Sequence, residues 1–356
     1  MADHLYDVGL IPGDGTGPEV VAEARKVLDA AAERFGFRLR FQTFPMSGRH
    51  YLDSGELLTD AQLSEIGALP ATLMGAIGTP EVRPGILERG VLLKMRFELD
   101  LYINLRPVKL LPGVPTVLAK APEDGIDFVV VRENTEGLYC GAGGFHKKGT
   151  PEEVATQESI NTRKGVERCV RYAFDLAKTR RRKHLTLCGK TNVLTYAFDL
   201  WERVFEEVGA EYGDVTRDYN HVDALCMFLL MSPQRYDVIV TDNMFGDIIT
   251  DVAAMLQGGL GVAASGNLHP GKTAVFEPVG GSAPQFTGKG VINPLAAIAS
   301  GQMLLRYLGE TDAAAAIERA MIATLKNDMK GVAVGEMGIG TSDVGDRVRD
   351  YLLAEK

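Results

Sequence analysis

Tyr236-Asp-Val-Ile-Val-Thr-Asp242-Asn-Met-Phe-Gly-Asp247-Ile-Ile-Thr-Asp251 runs from a β-branched apolar run, Val238 to Val240, straight into a helical pattern. A short continuous apolar run suits a strand buried on both faces, so the segment predicts a central strand of a largely parallel sheet. Asp247 and Asp251, four residues apart, then share one helical face. Like charges at that spacing weaken a helix by roughly 0.2–0.5 kcal/mol, and a divalent cation between them would remove the repulsion. A solvated helix face is the plain alternative. The setting weighs towards the cation, because open α/β sheets bind ligands at the carboxyl ends of their strands.

Outward from this stretch the chain reads as alternating strands and helices. Leu5 to Ile11 is a strand pattern, and Pro12-Gly-Asp-Gly-Thr-Gly-Pro-Glu-Val20 is a glycine-rich turn feeding a helix from Pro18 to Phe35. Glycines at 13, 15 and 17 give G-x-G-x-G, which is not the G-x-G-x-x-G of a Rossmann dinucleotide site. A strand at Leu39 to Phe44, a helix at Asp60 to Ile66 and a strand at Ala71 to Ile77 continue the βαβ rhythm. Arg96, Arg106 and Arg132 stand at a helix end and on two strands, and guanidinium forks match carboxylates bidentately. A surface ion pair is the ordinary reading of each arginine taken singly. Gly141 to Pro151 reads as a polar loop, Val154 to Asn161 as an exposed strand and Thr162 to Ala177 as an amphipathic helix. Lys190 follows the strand Lys183 to Cys188, where burial or neighbouring cations would turn a lysine into a base. His221-Val-Asp223 opens another helix, and Asp223 has an alternative role there as an N-terminal helix carboxylate. Phe276 to Gly290, with Asn293-Pro294, is a small-residue loop suited to wrap an adenosine, or is a plain turn-rich loop.

Composition narrows the class. With 356 residues the chain is long enough for two domains, and 46% hydrophobic with 24% charged residues is ordinary for a globular protein. A net charge of −9 argues against a nucleic-acid partner, and the one basic run, Lys178 to Lys183, reads as a solvated helix end. No apolar stretch reaches membrane-spanning length and no signal-peptide pattern opens the chain, so a cytoplasmic protein is expected. Cys140, Cys169, Cys188 and Cys226 lack any C-x-x-C spacing, which points to small, mostly buried residues and to neither disulfides nor zinc.

Six stretches in register make the chain resemble the β-decarboxylating dehydrogenases, the family of isopropylmalate, isocitrate, homoisocitrate, tartrate and D-malate dehydrogenases. They are Gly13-Asp-Gly-Thr-Gly-Pro-Glu19, Asn104-Leu-Arg-Pro107, Arg132-Glu-Asn-Thr-Glu-Gly137, Lys190-Thr-Asn192, Asp242-Asn-Met-Phe-Gly-Asp247 and Gly281-Ser-Ala-Pro284. The resemblance covers essentially the whole chain. It is greatest to the 3-isopropylmalate branch, through Leu87-Glu-Arg-Gly90, Leu92-Leu93 and Arg96-Phe-Glu-Leu-Asp100.

The resemblance implies an α/β, isopropylmalate dehydrogenase-like two-domain fold, with residues 1–100 and 255–356 in a cofactor-side domain. Residues 101–254 would form the second domain, carrying the dimer interface and the metal-binding aspartates. It further implies a homodimer with shared active sites, in which Arg96, Arg106 and Arg132 bind a small hydroxy-dicarboxylic acid. Asp247 and Asp251 would join Asp223 of the partner subunit around Mg²⁺ or Mn²⁺, whose preference for oxygen ligands suits them. Lys190, also from the partner, would be the base for the 2-hydroxyl, and Tyr139 would protonate the carbon left after CO₂ departs. The nicotinamide cofactor would lie along Ile11, Gly78, Glu277, Gly280, Gly281, Ser282, Ala283, Gln285 and Asn293. Gln285-Phe286 offers no cation for a 2′-phosphate, which favours NAD over NADP.

Two departures from the family pattern bear on substrate. Asn134 and Leu138 beside Tyr139 read more like tartrate or isocitrate members, and Cys188-Gly189 stands where a Val-His pair is common. Leu92, Leu93 and Val193 would instead wall in an alkyl group, since each buried CH₂ contributes about 0.8 kcal/mol. The expectation is therefore a 3-substituted malate, 3-isopropylmalate first. A paralogue acting on tartrate, D-malate, isocitrate, homoisocitrate or another alkylmalate is the alternative, and a non-catalytic regulatory subunit is the reading from another class.

Overall fold

A computed structural model of the chain describes residues 4–355. β1 (Leu5–Ile11), α1 (Gly17–Phe35), β2 (Arg38–Thr43), α2 (Gly48–Ser54), α3 (Asp60–Ala68) and β3 (Ala71–Met74) lead to a π-helical turn at Glu88–Leu93 that continues as α4 (Lys94–Glu98). β4 (Ile103–Lys109), β5 (Asp127–Glu133), β6 (Gly143–His146), β7 (Val154–Gln157), α5 (Arg163–Thr179), β8 (His184–Gly189) and α6 (Ala197–Gly209) follow. Next come β9 (Thr216–His221), α7 (Val222–Met231), β10 (Val238–Thr241) and α8 (Asn243–Leu256). The chain closes with β11 (Ala264–His269), β12 (Thr273–Pro278), α9 (Leu295–Tyr307), α10 (Thr311–Asn327) and α11 (Thr341–Ala354).

Two compact units result, neither of them one continuous piece of chain. The first holds the residues up to Leu101, Lys109–Ala119 and those from Ala254 on, and the second holds Tyr102–Val108 and Lys120–Ala253. In the first unit the strand order is β2-β1-β3-β12-β11. β1 pairs in parallel with β2 and β3, and β12 with β3, while β11 turns back antiparallel on β12. Helix α1 packs against α9 and α11, and its Val20, Ala24, Val27, Leu28 and Ala31 recur at helical spacing and are buried. Gly36, in the left-handed conformation at φ 78°, ends that helix.

In the second unit the order is β4-β5-β10-β8-β9, and β10 runs parallel to both β5 and β8. Val238, Ile239 and Val240 are wholly buried, as a strand covered on both faces requires. Burial of such side chains contributes about 1.5–3 kcal/mol each. The register sets Thr241 opposite both Arg132 and Cys188, and Gly189 opposite His221. Four parallel strands thus bring Arg132, near the end of β5, Asp242 and Lys190, which directly follow β10 and β8, and Asp223, two residues past β9, to the same carboxyl end of the sheet.

Two local features differ from the sequence reading and a third adds to it. Part of the segment read as a polar loop is β6, which pairs antiparallel with β7, an exposed hairpin lacking the buried face that would announce it. Helix α2 was not foreseen, being only seven residues long and started by the Ser47 side chain accepting from His50 N–H. The basic run does close α5 and is largely exposed, but two of its arginines also clamp the chain. Arg180 donates to Asp127 and Asp237, and Arg182 to the carbonyls of Gln234, Arg235 and Tyr236. Cys169 and Cys188 are buried, Cys140 and Cys226 half-buried, and all four are free thiols.

Asp237 is nearly inaccessible and takes the Arg180 Nε–H at 2.8 Å. Removing the cation leaves a buried carboxylate without its charge partner, so Arg180→Ala should lower unfolding stability by about 3 kcal/mol. Urea denaturation checks this, and a shift below about 1 kcal/mol would show the clamp to be ornamental.

Candidate active site

Arg132 is the penultimate residue of β5, its side chain only 1% exposed, and the neighbouring elements leave room for it. Its Nε and one terminal nitrogen donate to Asn243 Oδ1 at 3.1 and 2.7 Å, and the other terminal nitrogen donates to Asp247. A Cβ on Gly246 would lie 2.4 Å from Arg132 Cγ, so glycine there makes room for the arginine stem. Asn243 also donates through Nδ2 to the carbonyl of Glu136, tying α8 to the loop that carries Tyr139.

Asp247 is the point on which this cluster converges. Tyr139 donates its phenolic proton to Oδ2 at 2.5 Å, and the Arg132 guanidinium lies over the tyrosine ring, 5.3 Å from its centroid. Arg106 reaches Asp247 at 3.9 Å and Asp251 at 3.6 Å, and donates to Thr250 Oγ1 at 2.8 Å. Burial works against the charge on Asp247, but Arg132, Tyr139 and Arg106 outweigh it and hold the carboxyl below its usual range. Asp247 and Asp251 remain 41% and 71% exposed, with both oxygens of Asp247 already engaged by Arg132 and Tyr139.

Lys190 and Asp223 form a second cluster, with Nζ 2.8 Å from Oδ2. The Lys190 partner is the main cause that lowers the Asp223 pKa. Among the described residues no three His, Cys, Asp or Glu side chains converge as a metal site within one chain, so Asp223 does not join Asp247 and Asp251 there. Val193, near Lys190, is 63% exposed.

The loop that leads from β5 to Tyr139 is held by a buried carboxyl. Glu133 accepts from Thr135 N, Thr135 Oγ1 and Glu136 N, each at 2.8 Å. Burial nevertheless pushes its pKa up to about 7. Glu136 takes the Thr162 N–H at 2.7 Å and its hydroxyl at 2.6 Å, pinning the same loop to the start of α5. Asp242, buried and bonded to Phe245 N–H, is likewise raised to about 6 by burial.

In the first unit, backbone groups and carboxylates hold together the loops that carry the candidate cofactor residues. Asp14 accepts from the N–H groups of Gly48, Gly78 and Arg49, at 2.6, 2.9 and 3.2 Å. Gly15, at φ 58°, lies so close to Ser282 that a Cβ would sit 2.0 Å from its carbonyl oxygen, which takes the Thr16 N–H at 2.8 Å. Glu19 takes the N–H groups of Gly288 and Gly290. The glycine-rich turn therefore braces the loop of Gly280, Gly281, Ser282, Ala283 and Gln285 from beneath. Ala283 is held at φ 42°, a left-handed conformation that strains any residue but glycine. Asn293, one residue before the Pro294 N-cap, accepts from Leu295 N–H at the start of α9, and Ile11 lies wholly inside the core. Glu277 takes the Asn267 amide at 2.8 Å, with Arg96 3.7 Å away. Leu92 packs on the Ile11–Met74–Met95 cluster from within the π-helical turn, and Leu93 beside it is half-buried.

Asn243, Glu133, Asp14 and Glu19 were not singled out from sequence. Each lies inside a quoted stretch, but their roles come from long-range partners that spacing does not reveal.

The isocitrate/isopropylmalate dehydrogenase family matches residues 7–348. The chain is 54% identical over 336 residues to a 3-isopropylmalate dehydrogenase of Streptomyces coelicolor, covering 93% of this chain and 96% of that one. It is 50% identical over 350 residues to one of Thermobifida fusca, with 98% of each covered. A crystal structure of isocitrate dehydrogenase from Methylococcus capsulatus matches with a TM-score of 0.87 at 38% identity, over 98% of this chain and 99% of that one.

Glu133 keeps its proton to about pH 7 when folded, against an ordinary value of 4.5. The folded state therefore holds more protons between those values, and this contribution to stability is complete below pH 4.5 and lost as pH rises to 7. Glu133→Gln should flatten the fall in the urea midpoint between pH 5 and 7.5; an unchanged slope would show that the carboxyl is ionised throughout.

Proposed function

The chain belongs to the isocitrate/isopropylmalate dehydrogenase family, and we propose that it oxidises and decarboxylates a 3-substituted malate, 3-isopropylmalate first, with NAD as hydride acceptor and Mg²⁺ or Mn²⁺ as resident cation. The observation that carries the chemistry is the gathering of Arg106, Arg132 and Tyr139 on Asp247. Identities of 50% and above to relatives bearing the isopropylmalate name support the substrate.

In this reading Arg96, Arg106 and Arg132 turn their guanidinium forks to the substrate's carboxylates. Leu92, Leu93 and Val193 shelter the alkyl group. Asp247, Asp251 and Asp223 supply an all-oxygen donor set, which fits a hard divalent ion. When bound, that ion acts as a Lewis acid on substrate oxygen. Lys190 takes the proton of the 2-hydroxyl as hydride leaves for the nicotinamide, and the Tyr139 hydroxyl returns a proton to the carbon that loses CO₂.

Gln285, exposed and neutral, supports NAD. Lys289, 5.7 Å over the Phe286 ring, is the feature that would favour a 2′-phosphate. A homodimer is supported by exposed apolar side chains that a lone protomer has no reason to display: Met227, Leu230 and Met231 on α7, Ile248 on α8, and Phe145 and Val154 on the β6–β7 hairpin. In the dimer the Lys190–Asp223 pair of each protomer serves the site built around Asp247 in the other.

Steady-state rates with 3-isopropylmalate, D-malate, tartrate, isocitrate and homoisocitrate, each with NAD and NADP, should rank 3-isopropylmalate with NAD first. Negligible turnover of it beside fast turnover of another acid would refute the substrate. Lys190→Ala and Tyr139→Phe should each lower kcat about 10²-fold or more with cofactor affinity kept, and wild-type rates in either would remove that residue from the chemistry. Chelation should abolish turnover and Mn²⁺ should restore it.

A further inference from the structure

Lys190 leaves β8 through a peptide unit held at both ends. Its carbonyl accepts the N–H groups of Val193 at 3.1 Å and Leu194 at 2.9 Å. The N–H of the same unit, contributed by Thr191, donates to the Tyr219 hydroxyl at 3.0 Å, and the Thr191 hydroxyl lies 3.2 Å from the same oxygen. The Tyr219 hydroxyl also meets His221 Nδ1 at 2.9 Å, and the two rings stand edge to face with centroids 5.1 Å apart. His221 precedes Val222-Asp223, and Asp223 closes the circuit on Lys190 Nζ at 2.8 Å.

The reach of Tyr219 depends on one glycine. In the β8–β9 register Tyr219 lies opposite Leu187 and His221 opposite Gly189, so all four face the same side of the sheet. Strand side chains lean along the strand, and Gly189 offers nothing to stop the tyrosine ring leaning over it towards Thr191. A Cβ on Gly189 would lie 2.5 Å from Phe198 Cδ1 and 3.2 Å from Tyr219 Cε2. Gly189 thus gives the space that both rings fill, which accounts physically for a glycine just before the lysine.

We propose that Tyr219 is a positioning residue for Lys190: by fixing the Lys190–Thr191 peptide plane and His221 together, its hydroxyl sets the lysine against Asp223. This rests on the assignment of Lys190 as the base. The hydroxyl is engaged by Thr191 and His221 and is not among the groups assigned to the substrate, so its loss would misplace the proton acceptor alone. Misplacement by less than an ångström costs turnover and spares binding.

The test is Tyr219→Phe in the full-length enzyme, assayed with 3-isopropylmalate and NAD. The expected result is a fall in kcat of about tenfold with KM held within about twofold. Tyr212→Phe, which removes a hydroxyl bonded to Asp175 elsewhere in the same unit, should leave both constants unchanged. A kcat for Tyr219→Phe equal to wild type, or equal losses in both tyrosine variants, overturns the proposal. Lys190→Ala separates the two ideas, since full turnover there refutes the base itself, while lost turnover there with a silent Tyr219→Phe refutes only the positioning role. Should Tyr219→Phe fail to fold, amide hydrogen exchange of the wild-type protein still decides: the Thr191 N–H should be protected, and exchange at the rate of an open loop overturns the proposal.

Discussion

Arg132 carries a full positive charge into a place water hardly reaches, and much of the second unit is arranged around that fact. An unpaired buried charge costs several kcal/mol, so its partners are fixed by necessity: the Asp247 carboxylate and the Asn243 amide, both on the first turns of α8. Gly246 between them is small because the arginine stem needs the space. One strand end and one helix start thereby lock together, and the Tyr139 hydroxyl is drawn to the same carboxylate. Two opposite charges thus neutralise one another where either alone would be costly, which lets the protein stay folded with both in place.

How far the sequence could be read follows from the range of each interaction. Strands such as Val238–Thr241 and helices such as Arg163–Thr179 announce themselves through local patterns of burial, and their limits were legible to within a residue or two. The pairing of Asp247 with Asp251 on one face was likewise legible, because four-residue spacing is a local property. The β6 strand was not, since every residue in it is exposed and no alternation marks it. Nor was the π-helical turn at Glu88–Leu93, where an apolar pattern looks the same whether the helix is wound to 3.6 residues or wider.

The supporting residues were the least legible of all. Asp14 and Glu19 sit among glycines that attract attention, yet it is their carboxylates that bind the backbone of distant loops. The basic run from Lys178 is an exposed helix end, as its composition suggests, yet Arg182 also holds carbonyls and Arg180 the buried Asp237. In each case a charged side chain satisfies main-chain groups far along the sequence, and composition carries no record of that.

The division of the chain into interleaved units also has a consequence for synthesis. Sheet β2-β1-β3 awaits β12 and β11, and α1 awaits α9 and α11, all from the last third of the chain. The second unit is complete once Ala253 has emerged. At about 5–20 residues per second, the early strands and α1 stay without their partners for roughly ten seconds or more after they leave the ribosome. The unit encoded first is therefore the one finished last, and its apolar α1 face is the surface that a nascent chain must keep from aggregation.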